Sequence, residues 1–249
     1  MQRTFSIDGI VLKVNRISEI HKGLILFTRE HGLFSCIAHG AYKTKGKLRA
    51  LTEIFSYIKA YIYHDPVRDS YKLNDAETIE LFSSFRKSVE KYYAVNLFAE
   101  VILKSFGGGE GIGDLYDLFL ETLECVEAGA QKEVAYIIIQ FGLRFLYIAG
   151  SEHLGNDCRM CNRSIGETEN RYYRRAAHGF VCAHCLHDDS LFIPPGIMKY
   201  LKKTNSLSMR EALKITLQEQ TTKNAQTLVY LMVQDMIEKE LVSLSGMPG

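Results

Sequence analysis

The chain has 249 residues, of which 47% are hydrophobic and 24% are charged. This is the composition of a globular protein that buries a substantial core, and the length favours one or two domains. No segment reaches the roughly 18 consecutive apolar residues that span a bilayer, and the N-terminus lacks the apolar run of a secretory signal. We therefore expect a cytoplasmic protein that does not enter a membrane.

Basic and acidic residues are distributed unevenly along the chain. Residues 1–59 hold ten Lys and Arg against four Asp and Glu, whereas residues 60–157 hold eight against sixteen. The net charge of the whole chain is only +1. A basic first third beside an acidic middle predicts two modules with different partners. Chance variation of a solvated surface is the alternative.

The first part of the chain has the pattern of short β-strands. Apolar runs begin at Ser6, Gly23, Gly32, Phe55 and Tyr71, and turn residues separate them. Five short strands in this length predict a small closed barrel, because closure removes exposed sheet edges.

From Ser83 onward the apolar period becomes helical. Residues recurring every four positions from Val89 predict an amphipathic helix, and the segment from Glu133 to Tyr147 is apolar on nearly every face. That segment is predicted to be the buried central helix of a bundle. Another helix is predicted after Gly113, with Asp114 as N-cap. Pro194-Pro195 is a signal for a helix N-terminus, and two helices are predicted to follow it, one starting near Ser208 and the other near Thr221.

Four of the six cysteines form two C-x-x-C pairs, namely Cys158 with Cys161 and Cys182 with Cys185. The short loop in each pair lets both thiolates face one ion at ~2.3 Å, and two such pairs at this separation are typical of a zinc site. Four protein ligands leave no open position for water, so one structural zinc ion is predicted. The alternatives are iron in the same cage, a redox dithiol, and a site in which His184 or His187 replaces one thiolate.

A cluster of cations occupies residues 42–49, which we call the basic segment. Cations neutralise phosphates and release counterions, and an aromatic ring can stack on an unpaired base. The segment therefore predicts contact with nucleic acid, and an exposed lysine-rich loop without a ligand is the alternative. The candidate nucleic-acid-binding residues are Lys13, Arg16, Lys22, Tyr42, Lys43, Lys45, Lys47 and Arg49.

Between the two cysteine pairs lies a second basic and aromatic stretch, Arg171-Tyr172-Tyr173-Arg174-Arg175. It either extends a phosphate-binding surface or forms a strand and turn packed on the zinc site, and we favour the strand and turn.

Motifs of catalysis are absent from the sequence. Lys45-Gly46-Lys47 lacks the flanking residues of a P-loop, and the glycines of residues 107–113 do not match G-x-G-x-x-G. Neither G-x-S-x-G nor H-E-x-x-H occurs. We therefore expect a protein that is not an enzyme and has no nucleotide cofactor.

Several stretches spread along nearly the whole chain carry a likeness to one family. They are residues 9–33, which look like its opening strands, residues 38–43, residues 141–146 followed by Gly150 and the first cysteine pair, and residues 193–196. Together they resemble the RecO family of bacterial DNA repair proteins. His39 stands where a Lys is usual in that family, and Tyr42 stands where another cation is common.

The resemblance implies an α+β fold with three parts. These are an OB-fold β-barrel that binds nucleic acid at residues 1–80, a helical domain at residues 81–249, and a four-cysteine zinc module inserted at about residues 154–192. A zinc-ribbon scaffold protein of a transcription or translation complex, without annealing activity, is the alternative.

The resemblance also implies a function as a nucleoid-associated mediator of recombination. Such a protein binds single- and double-stranded DNA, anneals complementary strands, and with RecR helps load RecA onto strands coated by single-stranded DNA-binding protein. An acidic, apolar-ended tail of that coating protein would need an apolar groove flanked by a cation. Candidates for this partner contact are Arg144, Lys199 and Lys202, and ordinary helix-surface charges are the alternative.

Overall fold

The computed structural model describes residues 3–43, 46–105, 111–151 and 154–244. The chain divides into two compact units. The first comprises Met1–Ser83 and Ser105–Asp117, and the second comprises Ser84–Lys104 and Leu118–Gly249.

The first unit contains five strands that close into a barrel, as predicted. They are β1 (Thr4–Arg16), β2 (Lys22–Thr28), β3 (Gly32–Ala38), β4 (Ser56–Asp65) and β5 (Ser70–Leu81), with a short helix α1 (Leu48–Leu51) between β3 and β4. The order around the barrel is β1-β2-β3-β5-β4, and β4 pairs back onto β1. Every pair is antiparallel except β3 with β5, whose parallel pairing is limited to two residues on each strand. Each strand begins within two residues of its predicted start.

Alternating side chains fill the barrel with an aliphatic core. Leu24, Leu26, Ile58 and Ile62 are all at most 2% exposed, since residues two apart on a strand point to one face. Strand β1 is long enough to pair with both β2 and β4, and its register with β2 shifts between Val11 and Lys13. A bulge of this kind bends a strand, which helps β1 follow the curvature of the barrel.

The second unit is helical. Its helices are α2 (Val89–Ser105), α3 (Ile112–Ala128) from Leu118 onward, α4 (Val134–Ile148), α5 (Pro195–Asn205), α6 (Met209–Ala212) and α7 (Glu219–Ile237). Helix α4 is buried at ten of its fifteen positions, so the prediction of a central helix is confirmed. It packs closely on α7: a Cβ placed on Gly142 would lie 2.5 Å from Cγ1 of Val229. No helix within the described ranges is long and apolar enough to cross a membrane.

Two predicted helix starts have different outcomes. Ser208 is the N-cap of α6, because its hydroxyl accepts a hydrogen bond from the Glu211 amide while the Glu211 carboxylate reaches back to the Ser208 amide. The prediction of Asp114 as an N-cap is wrong. Helix α3 begins at Ile112, since the Leu115 amide already donates to the Gly111 carbonyl at 3.0 Å. Asp114 instead lies in the first turn, where its charge suits the helix dipole.

Between α4 and α5 the chain forms a small three-stranded sheet. Its strands are β6 (Arg171–Arg174), β7 (Gly179–Val181) and β8 (Leu191–Ile193), in the order β7-β6-β8. The four cysteines of the C-x-x-C pairs lie in the turns that precede β6 and follow β7.

Candidate metal centre and basic surface of the barrel

The four cysteines predicted to bind metal converge in space. The sulfurs of Cys158, Cys161, Cys182 and Cys185 all lie within 4.8 Å of one another, and those of Cys161 and Cys182 are 3.8 Å apart. Tetrahedral zinc with Zn–S bonds of ~2.3 Å places its sulfurs about 3.8 Å apart. This four-thiol cluster therefore fits the ion, and it includes neither His184 nor His187.

Local hydrogen bonds shape the two cysteine turns. In the first turn, the Cys158 amide donates to the Arg163 carbonyl and the Asn162 amide donates to the Cys158 carbonyl, both at 2.8 Å. Asn162 adopts a positive φ of 56°, which asparagine tolerates better than most residues. In the second turn, the Cys185 amide donates to the Cys182 carbonyl at 3.0 Å. Each turn thus holds its two sulfurs on one side.

The thiols of the cluster differ in acidity. Burial raises the pKa of Cys158, but the backbone amides of Cys182, Cys161 and Met160 donate to its sulfur and bring the pKa down to about 6. Contact with the Cys161 thiol, together with burial, raises the pKa of Cys185 to about 12. Cys185 therefore remains a thiol at neutral pH in the absence of a cation, and a bound metal ion would supply the positive charge that lets all four sulfurs be thiolates.

Arg171 lies inside the same module and is 1% exposed. Its guanidinium donates to the carbonyls of Gly155, Ile165 and Gly166 at 3.3–3.4 Å, so it joins strand β6 to the loop around the first cysteine pair. Burial lowers the pKa of Arg171. The neighbouring arginines are paired as well, Arg174 with Asp189 and Arg175 with Asp235. The strand-and-turn interpretation of this stretch is confirmed.

The basic segment lies in the connection between β3 and β4. Three backbone hydrogen bonds hold its described turns. The Lys43 amide donates to the Gly40 carbonyl, the Gly46 amide to the Lys43 carbonyl, and the Arg49 amide to the Gly46 carbonyl. A Cβ on Gly46 would lie 3.1 Å from the Gly40 carbonyl oxygen, so glycine permits this close approach. Lys45 lies outside the described residues.

Most of the predicted nucleic-acid-binding side chains reach the surface of the barrel. Those that are exposed are Lys13, Arg16, Lys43, Lys47 and Arg49. Lys47 forms an ion pair with Asp75 at 2.7 Å, although its side chain remains 62% exposed. Tyr42 is half-buried, and the guanidinium of Arg16 lies 5.7 Å from the centre of its ring. Tyr42 therefore links strand β1 to the basic segment.

Lys22 is the exception among these residues, because its side chain is only 3% exposed. Its ammonium lies 3.0 Å from a carboxylate oxygen of Glu53 and also donates to the carbonyls of Arg49 and Thr52. The prediction that Lys22 contacts a phosphate is therefore wrong, because an ammonium with three protein acceptors has no donor left for a phosphate.

His39 occupies the position at which the resemblance leads one to expect a lysine. It is exposed, and its ring meets that of His21 edge to face at 4.5 Å. Burial lowers the pKa of His39, and the charges of His21 and Lys72 lower it further. A histidine whose pKa lies below its ordinary value is neutral at pH 7, so His39 does not replace the missing cation there.

The residues predicted to contact a partner have different environments. Arg144 on α4 is half-buried and donates to the Gln140 side chain and, at 2.8 Å, to the Leu207 carbonyl. Lys202 on α5 donates to the Asn156 side chain at 2.6 Å, whereas Lys199 is exposed. Arg144 thus ties α4 to the chain after α5, and its contact with a partner stays a prediction.

Comparison with known proteins places both halves of the chain. Residues 1–82 match the family described as "Recombination protein O N terminal", and residues 86–245 match "Recombination protein O C terminal". The chain belongs to the RecO family. The N-terminal match contains all five barrel strands, and the C-terminal match contains the four-thiol cluster.

Individual relatives agree with this assignment. A protein of Rubrobacter xylanophilus named "DNA repair protein RecO" is 30% identical over 207 residues, which is 82% of each chain. Proteins of the same name from Oceanobacillus iheyensis and Caldanaerobacter subterraneus are 26% and 25% identical, over 74% and 80% of this chain and 68% and 79% of their own.

Two residues of this RecO-family chain were assigned no internal role from the sequence. Lys22 stands two residues before Leu24 and four before Leu26, which are both buried, so the strand period itself places it on the inner face. For Arg171 no comparable signal exists, because its carbonyl partners belong to loops whose course depends on the cysteine turns.

Proposed function

We propose that this RecO-family chain is a DNA repair and recombination mediator. It binds single- and double-stranded DNA, anneals complementary strands, and with RecR helps load RecA onto strands coated by single-stranded DNA-binding protein. The observation that carries this proposal is the family match over both halves of the chain, which includes relatives named for DNA repair. The proposal assigns no catalytic step to the chain.

The DNA-binding part of the proposal is residues 1–80, an OB-like barrel. The exposed cations of the barrel hold phosphates of the backbone, and contacts to phosphates carry little sequence preference. Lys47 can exchange Asp75 for a phosphate at small cost, since exposed ion pairs contribute only ~0–1 kcal/mol. A surface that neutralises two strands at once lowers their repulsion and so promotes pairing.

The helical part, residues 81–249, docks partner proteins in this proposal. The four-thiol cluster of the module at about residues 154–192 would hold one structural zinc ion, which would fix the connection between α4 and α5. Zinc bound by four thiolates supplies folding energy rather than chemistry. Lys199 is the best-placed of the three predicted partner contacts, because Arg144 and Lys202 already have protein acceptors.

Strand annealing tests the proposal. Two complementary labelled oligonucleotides are mixed with the protein across a salt series, and the wild type is compared with two variants that lose four charges each. One variant changes Lys43, Lys45, Lys47 and Arg49 to Ala. The matched control changes Lys132, Lys203, Lys214 and Lys223, which lie in the helical part, to Ala.

Wild-type annealing is expected to fall with salt and the control to behave like the wild type. The barrel variant is expected to lose annealing, and its salt slope for single strands should shrink by about 0.7 for each lost phosphate contact. A wild type that neither binds nor anneals DNA at low salt would remove the mediator function and favour the zinc-ribbon scaffold.

A further inference from the structure

We propose that Lys22 is a positioning residue for DNA binding. Its buried ammonium fastens α1 and the ring of Tyr42 to the barrel, and thereby holds Lys43, Lys47 and Arg49 at the surface. This inference rests on the proposed function, because it concerns how the same surface meets DNA.

The first observation is the complete set of acceptors around the Lys22 ammonium. It lies 3.0 Å from Oε1 of Glu53, 3.3 Å from the Arg49 carbonyl oxygen and 3.4 Å from the Thr52 carbonyl oxygen. An ammonium has three donors, so these three acceptors saturate it. Because the side chain begins at the first residue of β2, it connects the barrel wall to the segment that follows α1.

The second observation is that α1 depends on contacts outside itself. It has four residues, Leu48–Leu51, and none of them is fully buried. A single helical turn is not stable alone, because nucleation is costly. The carbonyls at its C-terminal end require partners, and Lys22 supplies both hydrogen bonds and positive charge there. Thr52, which is fully buried, adds a bond from its hydroxyl to the Leu48 carbonyl at 2.6 Å.

The third observation concerns Tyr42, which lies next to both an internal and an external cation. The ammonium of Lys22 is 5.1 Å from the centre of its ring, and the guanidinium of Arg16 is 5.7 Å away. Its amide donates to the Ile20 carbonyl at 3.2 Å. The hydrogen bond to Ile20 thus ties the backbone of Tyr42 to the turn between β1 and β2, while Lys22 contacts the ring from inside and the ring in turn orients Arg16 at the surface.

The consequence is that Glu53 supports DNA binding although it is an acid. A simple electrostatic account makes the opposite prediction, since removing a negative charge near the basic segment strengthens attraction for phosphates. The two accounts are therefore separated by the sign of one substitution. Glu19, which is exposed in the turn between β1 and β2, offers the same change of charge without a role in holding Lys22.

The test uses the full-length protein and a labelled single-stranded oligonucleotide, with dissociation constants measured by fluorescence anisotropy at several salt concentrations. Glu53→Ala is expected to weaken binding about fivefold, because the loosened segment must then be ordered when it binds, at roughly the cost of immobilising one side chain. Glu19→Ala is expected to leave binding within about twofold or to tighten it, because an exposed charge is screened. Glu53→Ala that binds as tightly as Glu19→Ala overturns the inference.

Lys22→Met provides a second readout, because methionine keeps an unbranched chain and removes the charge. Hydrogen exchange of the amides of residues 46–53 is expected to accelerate at least about tenfold, while the β4–β5 amides keep their protection. Unchanged exchange of residues 46–53 also overturns the inference, and Glu53→Ala decides alone if Lys22→Met does not fold. If the wild type binds no oligonucleotide, both the proposed function and this inference are wrong. If the wild type binds but Glu53→Ala binds as tightly as Glu19→Ala, only the inference is wrong.

Discussion

Replacing Gly142 by alanine measures how closely α4 and α7 are packed. Gly142 lies within α4, where a Cβ would be 2.5 Å from Cγ1 of Val229 and 3.3 Å from Cγ2 of Val233. Non-bonded carbons pack best at about 3.5–4.0 Å. Either α7 or the Val229 side chain must therefore move by about 1 Å to admit one methyl group.

The expected free-energy change combines two opposing effects. Overpacking of a core costs about 1–3 kcal/mol, whereas alanine is about 1 kcal/mol better than glycine inside a helix. Gly142→Ala is therefore expected to lower the free energy of unfolding by about 1 kcal/mol. Gly196→Ala is the matched control, because Gly196 lies in α5 and a Cβ there meets nothing within 4 Å. The control is expected to be neutral or to stabilise by up to about 1 kcal/mol.

Urea denaturation followed by far-UV circular dichroism is the assay, since the chain has no tryptophan to report by fluorescence. Val229→Ala removes the methyl group that the new Cβ would strike. The double variant should therefore be more stable than the sum of the two single effects by about 1 kcal/mol. The reasoning is refuted if Gly142→Ala is as stable as Gly196→Ala, or if the two substitutions simply add.

Further predictions concern the metal centre and the acid stability of the helical part. Purified protein is expected to contain about one zinc ion per chain. Cys182→Ser should lose it, whereas Cys125→Ala, which changes a buried cysteine outside the cluster, should keep it. Elemental analysis with thiol titration checks this, and full reactivity of the four cluster thiols before chelation would contradict it. Burial raises the pKa of Glu100, but hydrogen bonds from Lys104 and from Ser243 hold it at about 2. A depressed pKa contributes stability above the unfolded value and loses it as the pH falls towards 2, so Glu100→Gln should destabilise at pH 7 and lose its effect near pH 2. Urea unfolding at several pH values measures this, and a cost that is the same at both ends would count against it.

Much of the barrel was predictable because its signals are local. Short apolar runs define β2 and β3, a connection of hairpin length ending at Gly32 joins them, and those patterns do not depend on distant residues. The start of α3 was misplaced because Asp114 resembles an N-cap in sequence, whereas the capping geometry depends on which carbonyl the Leu115 amide reaches. Local helix propensity alone does not decide between two possible helix starts that are half a helical turn apart.

The candidate sites likewise have one part that the local sequence predicts and one part that depends on distant contacts. The four-thiol cluster was predictable because two C-x-x-C turns each form locally, and only one long-range step brings them together. The environment of Lys22 was not predicted, because composition alone does not distinguish a buried lysine from the exposed lysines of the basic segment. The strand period places Lys22 on the inner face, but its three acceptors lie 27–31 residues further along the chain, and no local pattern indicates them.

The packing of α4 on α7 also has a consequence during synthesis. Residues 149–218 lie between the two helices, and α4 buries ten of its residues in the folded protein. Ribosomes add about 5–20 residues per second, so about 4–14 s pass between the emergence of α4 and that of α7. A helix forms in about a microsecond or less. The nascent chain therefore presents the α7-facing side of α4 for seconds before α7 exists, and this interval is when a chaperone would shield α4 from aggregation.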